Sequence, residues 1–320
     1  MTSTLTAPPA ARAATSPHRR RRNSTRPRLA PWAFLAPAVA LFTLFLLVPI
    51  GYAVFLSFVQ LKVQGGAFGR REQVFVGLDN YVFALTDPEF VASLGRLATF
   101  GIISVPLTLG LALMFALLLD LPGIRFARFA RTAIFIPYAV PGVIATLLWG
   151  FMYLPSTSPF NAVLTSVGLP AADFLGSSEI YGSLSNIAIW GGVGFNMIIM
   201  YTALRSIPAE IYEAAKIDGA NEWQIAWRIK IPLLTPALVL TLLFSLIATL
   251  QAYSEPTTLR TLSNSISFSF FPLMKVYRDA FATDNVSGAA AASVVLALGT
   301  LLISLVLLRL LQRRTFEESK

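Results

Sequence analysis

The chain alternates between long apolar stretches and short polar ones, and the apolar stretches are too long for a soluble core. About 20 apolar residues cross a bilayer as a helix. Six segments reach that length, at roughly 32–58, 98–119, 130–153, 183–204, 233–253 and 288–311. These predict six transmembrane helices in residues 31–312, an all-α polytopic membrane protein. Pro37, Pro49, Pro106, Pro137 and Pro141 fall inside or beside them. Such breakers are tolerated where neighbouring helices satisfy the freed carbonyls, so kinked helices around a pathway are expected.

Between the fourth and fifth apolar runs lies a polar interruption, EAAKIDGANEWQIAWRIKIPLLTP, from Glu213 to Pro236. Ser206 is placed to cap a helix whose first turn holds Pro208 and Glu210. Glu213 and Lys216 lie one turn apart on that helix. Gly219 fits a left-handed helix end. Asn221 followed by Gln224 has the spacing of a capping box for a second helix. Trp223 and Trp227 share a face, and Pro232 and Pro236 lead into the next span. The expected product is a short helix–turn–helix in a loop over 205–232. Ala214 and Ala215 leave one face nearly flat, which suits a groove on a partner protein. A helix resting on lipid is the alternative.

Charge orients the bundle. Of 25 Lys and Arg, 18 fall in segments that share a side with the N-terminus and 7 in the others. The positive-inside bias puts both termini, and the polar helix pair, in the cytoplasm. Residues 1–30 carry seven arginines, including Arg19 to Arg22, and no acid. They read as a disordered basic tail or as a nucleic-acid arm, and the tail is preferred, with no nucleic-acid partner expected. Residues 313–320 form a second cytoplasmic tail. The apolar run from Trp32 is too long for a signal core and is read as a retained span.

Composition narrows the chemistry. The chain is 55% hydrophobic and 13% charged, against about 25% charged in soluble domains. Mean hydropathy is +0.67. With no cysteine and one histidine, His18, thiolate, disulfide and histidine-based metal or acid–base chemistry is not expected. No Gly-x-x-x-x-Gly-Lys-Ser/Thr occurs, so a phosphate cradle for ATP is missing. No Asp or Glu lies well inside a span, which counts against a lone ion-coupled carrier. Polar and aromatic groups of the spans are candidates for a hydroxylated solute: Asn196, Gln251, Tyr253 and Glu255, then Trp149 and Trp190, with Tyr153 and Asn186 beside them. Glu255 has an alternative partner in Arg260, and the others have helix–helix hydrogen bonding or belt anchoring as alternatives.

The spaced set Glu213-Ala214-Ala215, Asp218-Gly219-Ala220, Trp227, Ile229 and Ile231-Pro232 resembles the EAA motif of ABC-importer permeases. The segments at 75–90, 135–153, 190–220, 277–281 and 287–295 resemble corresponding parts of binding-protein-dependent sugar permeases. The resemblance covers roughly 30–312 and is nearest the MalF/UgpA-type half of the permease pair. It implies a bacterial plasma-membrane importer subunit without catalytic residues, cofactor or metal of its own. ATP and magnesium would be bound and hydrolysed by paired ATP-binding subunits. A second, MalG-type permease and an extracellular solute-binding protein complete the set, with membrane lipid around the spans and a sugar as cargo. Glu213, Ala214, Ala215, Asp218, Gly219, Ala220, Trp227, Ile231 and Pro232 would form the ATPase-coupling surface. Where relatives often carry Asn-Thr this chain has Arg96-Leu97, and SEPTTLRTLSNSISFSF (254–270) replaces their Gly-rich turn. No single relative's substrate is therefore carried over, and glycerol-phosphate or polyol cargo stays an alternative.

Overall fold

The computed structural model describes residues 29–64 and 70–317, and the basic segment 1–28 and the last three residues lie outside them. The expected N-terminal tail therefore falls almost wholly outside the described residues, whereas residues 313–317 of the expected C-terminal tail are helical backbone. The chain divides into two units, residues 1–49 and 50–320. The first holds α1 (Leu29–Phe42), a π-helical turn at Thr43–Leu47 and the start of α2 (Val48–Ser57). Its side chains from Pro31 onward are exposed, as expected of a segment surrounded by lipid or a partner.

After the rest of α2, the second unit holds an element that the span pattern does not predict. Strands β1 (Val59–Gln64) and β2 (Arg70–Phe75) form an antiparallel hairpin in the register Val59↔Phe75. Helix α3 (Asp79–Thr86) follows, and buried Asn80 donates to the carbonyls of Ser57 and Val59, both at 2.9 Å. Asp87 then caps α4 (Pro88–Leu119) by accepting from the Glu89 N–H at 2.9 Å, with Pro88 in the first turn. At 32 residues α4 is about ten longer than the expected second span. The polar first turns before Arg96 had masked its start.

The third expected span is not one helix. It is α5 (Ala127–Ala139) and α6 (Gly142–Tyr153), bent by 96° at Val140-Pro141. Pro141 forces the residue before it into extended geometry, and Val140 has ψ of 126°. Helix α7 (Pro159–Ser166) starts at a Ser158 cap and α8 (Ile180–Arg205) crosses the bundle. Then come α9 (Ala209–Ile217), α10 (Glu222–Ile225), a π-helical turn at Ala226–Lys230 and the single turn α11 (Ile231–Leu233). Helix α12 (Thr235–Leu250), α13 (Ser254–Leu259), α14 (Pro272–Phe281) and α15 (Val286–Glu317) complete the chain. Among the described residues five helical stretches are long and apolar enough to cross a membrane, and the bent α5–α6 pair makes a sixth. The all-α polytopic expectation is met.

Two helices organise this unit. α4 packs chiefly along α8, burying Ala112 and Ala116 against Met197 and Met200. α5 meets the other side of α8 at Gly194. A Cβ there would stand 2.3 Å from the Ile134 carbonyl oxygen and 2.7 Å from Phe135 Cα. Only glycine allows this backbone-to-backbone approach, a recurrent device where no hydrophobic force draws helices together. On α15 the run Ala289 to Ala292 is buried, letting that helix close against α3 and α14 for the same reason.

Candidate functional site

The polar helix pair forms as its sequence dictates, with two changes. Gly219 has φ +83°, the left-handed end expected after α9. Its Cβ direction is open, so backbone conformation rather than space demands glycine. Asn221 Oδ1 accepts from the Gln224 N–H and Gln224 Oε1 accepts from the Asn221 N–H, each at 2.9 Å, a complete capping box. Trp223 and Trp227 lie with ring centroids 5.6 Å apart. Ser206, however, ends α8 and donates to the Ala203 carbonyl at 2.7 Å, and Pro208 occupies the cap position of α9. Lys216 reaches across the turn to Glu222 at 2.7 Å rather than back to Glu213. The two helices are thus stapled to each other, and Glu213 stays exposed beside Ala214 and Asp218. Ala215, Ala220 and Ile231 are half-buried, and Trp227 and Pro232 are exposed.

Beneath this pair lies a charged cluster that the sequence reading did not select. Asp120 ends α4, where helix C-terminal carbonyls disfavour an anion. Its side chain is 5% exposed and is compensated by Lys230, also 5% exposed, at 2.7 Å. Arg205 at the end of α8 stands 3.9 Å away. The Lys230 ammonium also sits 5.1 Å from the Tyr212 ring of α9. Burial, and then the charge of Asp120, push the Tyr212 phenol above its ordinary pKa. The hydroxyl has no hydrogen-bond partner. α4, α8, α9 and the π-helical turn therefore meet on one buried ion pair. Its sequence signal was faint: Asp120 reads as a polar residue at a span end, and Lys230 as one cation among several in a loop.

The pathway candidates separate into four places. Asn196 and Glu255 line one cavity of about 420 Å³ between α4, α8, α12 and the α5–α6 break. Ser104, Thr108, Ser245 and Thr249 share its wall. Asn196 donates to the Gly192 carbonyl at 2.9 Å and accepts from Ser245 Oγ at 3.4 Å, so it also joins α8 to α12. Tyr138, Phe195 and Phe244 form an aromatic side to the same cavity, with Tyr138 stacked on Phe195 at 4.9 Å. Among the described residues Glu255 forms no ion pair, and Arg260 lies over the Phe268 ring at 3.6 Å instead.

Trp149 and Trp190 pack edge-on at 5.9 Å in a separate aromatic group with Tyr153 and Phe160. Asn186 donates to the Tyr153 hydroxyl there at 2.7 Å. Tyr253 lies against Tyr277 at 5.6 Å and faces a separate cavity, lined by α14 and α15. Gln251 ends α12 and is exposed.

At the far end of α4 a second charged group holds α14. Lys275 bonds Asp87 at 2.6 Å and also Asp279, while Arg278 bonds Glu89 at 2.6 Å and Asp279 at 2.8 Å. Burial works against the Lys275 charge, but the hydrogen bonds it donates to Asp279 and Asp87 outweigh it and lift its pKa above the ordinary lysine value. Arg96 donates to the carbonyls of Ser269 and Phe270, both at 2.7 Å. The residue that departs from the resembled pattern thus anchors the segment that departs with it.

Residues 109–317 match the model of a family described as binding-protein-dependent transport system inner membrane component. The chain is 33% identical over 227 residues to the osmoprotective compounds uptake permease protein of Synechocystis, covering 69% of this chain and 77% of that one. It is 31% identical over 284 residues to the diacetylchitobiose uptake system permease protein of Streptomyces coelicolor, covering 85% and 79%. The sn-glycerol-3-phosphate transport system permease protein of Brucella suis is 30% identical over 273 residues, covering 84% and 90%. Among solved structures, a chain of a bacterial ABC transporter that imports the acidic polysaccharide alginate has the same fold. Its TM-score is 0.76 at 24% identity, over 89% of this chain and 95% of that one.

Proposed function

The chain belongs to the family of binding-protein-dependent transport system inner membrane components, and from that premise we propose that it is the permease subunit of an ATP-driven importer for a sugar or oligosaccharide. The sugar assignment draws on the relative whose uptake system takes diacetylchitobiose. It also draws on the cavity chemistry, in which hydroxyl- and amide-bearing side chains face an aromatic wall. Sugars are held by that combination of hydrogen bonding and ring contact.

The division of labour runs along α4. Glu213, Ala214 and Asp218 form an exposed surface for a separate ATP-binding subunit in the cytoplasm, with Gly219 and the Asn221 capping box fixing its shape. Motion of α9 passes through the Asp120–Lys230 pair to α4 and α12, which wall the cavity. A second permease subunit supplies the other wall, and a solute-binding protein delivers cargo at the α14 end, outside the cell. Both termini are cytoplasmic. ATP and magnesium belong to the partner. The observation that carries this reading is the preformed α9–α10 unit, bolted by one buried ion pair to the helix that also lines the cavity.

The test is uptake of labelled chitobiose and maltose into proteoliposomes holding the assembled importer with its binding protein. ATP-dependent accumulation of either sugar, lost in Glu213→Lys while the complex still inserts, supports the proposal. Accumulation driven by an ion gradient without ATP overturns it.

A further inference from the structure

The 420 Å³ cavity contains a feature that its assignment to a sugar does not explain. Every described residue lining it is uncharged except Glu255, in the first turn of α13. Lys, Arg and His are absent from that lining, and Glu255 takes part in none of the ion pairs among the described residues. Arg260, the cation nearest in sequence, is engaged by the Phe268 ring.

The fold makes room for this side chain. A Cβ on Gly142 would lie 3.3 Å from Glu255 Oε1, so the carboxylate reaches the break where α6 begins. The opening N–H groups of a helix favour an anion there, which supports a carboxylate held without a cation. Nearby, Ser104 of α4 is 3% exposed and its hydroxyl has no partner, although it lines the same cavity. A serine within a helix ordinarily bonds back to its own backbone. An unmade bond at this depth marks a group that a solute hydroxyl can satisfy.

We propose that Glu255 is a charge filter: the cavity accepts uncharged or cationic sugars, amino sugars included, and rejects sugar acids and sugar phosphates. This rests on the reading of the cavity as the transport path. A single negative charge within a few ångströms, in a site of lower dielectric than water, separates a cation from an anion by about tenfold or more in local concentration. The solute's hydroxyls meet Ser104, Asn196 and Thr249, its ring meets the aromatic wall, and the carboxylate decides the tolerated charge.

The absence of cysteine from the chain permits a direct test. Thr249→Cys is introduced into the assembled importer. The cysteine is reacted in parallel with a cationic trimethylammonium methanethiosulfonate and an anionic sulfonate methanethiosulfonate. Modification of this chain is read by intact mass, in the resting and in the ATP–vanadate-trapped complex, after correction for each reagent's rate with a free thiol.

The filter predicts a cation-over-anion rate ratio of about tenfold or more. The ratio stays high in Glu255→Asp, falls toward one in Glu255→Gln, and shrinks as salt is raised. A ratio near one with Glu255 in place overturns the filter without need of a variant, as does an unchanged ratio in a folded Glu255→Gln. No modification by either reagent in either state shows instead that the cavity is closed to solutes. That outcome removes the path reading itself.

Discussion

The two ends of α4 are both held by charge, but in different ways. At the α9 end, one carboxylate and one ammonium are each 5% exposed and depend on each other. At the α14 end, five charged groups share their partners, and Glu89 is 52% exposed. A buried pair has no solvent to fall back on, so removing one member strands a charge. A shared, partly wet network loses little when one member goes. The first arrangement suits a rigid junction between the proposed partner-binding surface and a cavity wall. The second tethers a peripheral helix and tolerates rearrangement.

The sharpest way to break this contrast is Lys230→Met. It is expected to destabilise the folded subunit by about 3 kcal/mol, since Asp120 stays buried and keeps only the more distant, exposed Arg205 at 3.9 Å. Thermal unfolding in detergent measures this, and Asp120→Leu added to Lys230→Met is expected to recover a substantial part. A loss under 1 kcal/mol would place the two ends in the same class.

Next in size is Gly219→Val. A β-branched residue in the left-handed region costs roughly 1–2 kcal/mol. The surrounding space is open, so the strain is expected to distort the α9–α10 turn rather than the bundle. Sugar-stimulated ATPase activity of the importer should fall several-fold while assembly of the spans is kept. Unchanged stimulation would mean that the turn's shape is not transmitted.

The smallest expected effect is Arg278→Met at the opposite end. Loss of its bonds to Glu89 and Asp279 should cost about 0–1 kcal/mol. The remaining Lys275 bonds to Asp87 and Asp279 keep α14 in place. The same unfolding assay decides it, and a loss near that of Lys230→Met would erase the distinction.

What could be read in advance follows from the range of the forces involved. The spans were legible because apolar length is a local property, and the α9–α10 turn because capping residues act within four positions. Gly219, Asn221 and Gln224 all stand as their spacing implies. Less was visible where partners lie far apart in sequence. Asp120 and Lys230 are 110 positions apart, and nothing local marks them as a pair. The α5–α6 bend was hidden because its apolar run continues across Val140-Pro141, and proline inside a span kinks one helix and divides another. Among the pathway candidates, Asn196 and Glu255 share a cavity, whereas Tyr253 and Trp149 do not join them. Their polarity was readable, but the direction each faces depends on the packing of α8, α12 and α13.

The central claim is that the α9–α10 surface, rather than the α14 end, engages the ATP-binding subunit. Purification of the importer from detergent through this chain tests it most directly, with wild type, Glu213→Lys and Arg278→Met compared for the identified ATP-binding subunit that co-purifies. The account predicts that wild type and Arg278→Met retain that subunit, while Glu213→Lys loses it and keeps the second permease. Retention of the ATP-binding subunit by Glu213→Lys at wild-type level would contradict it.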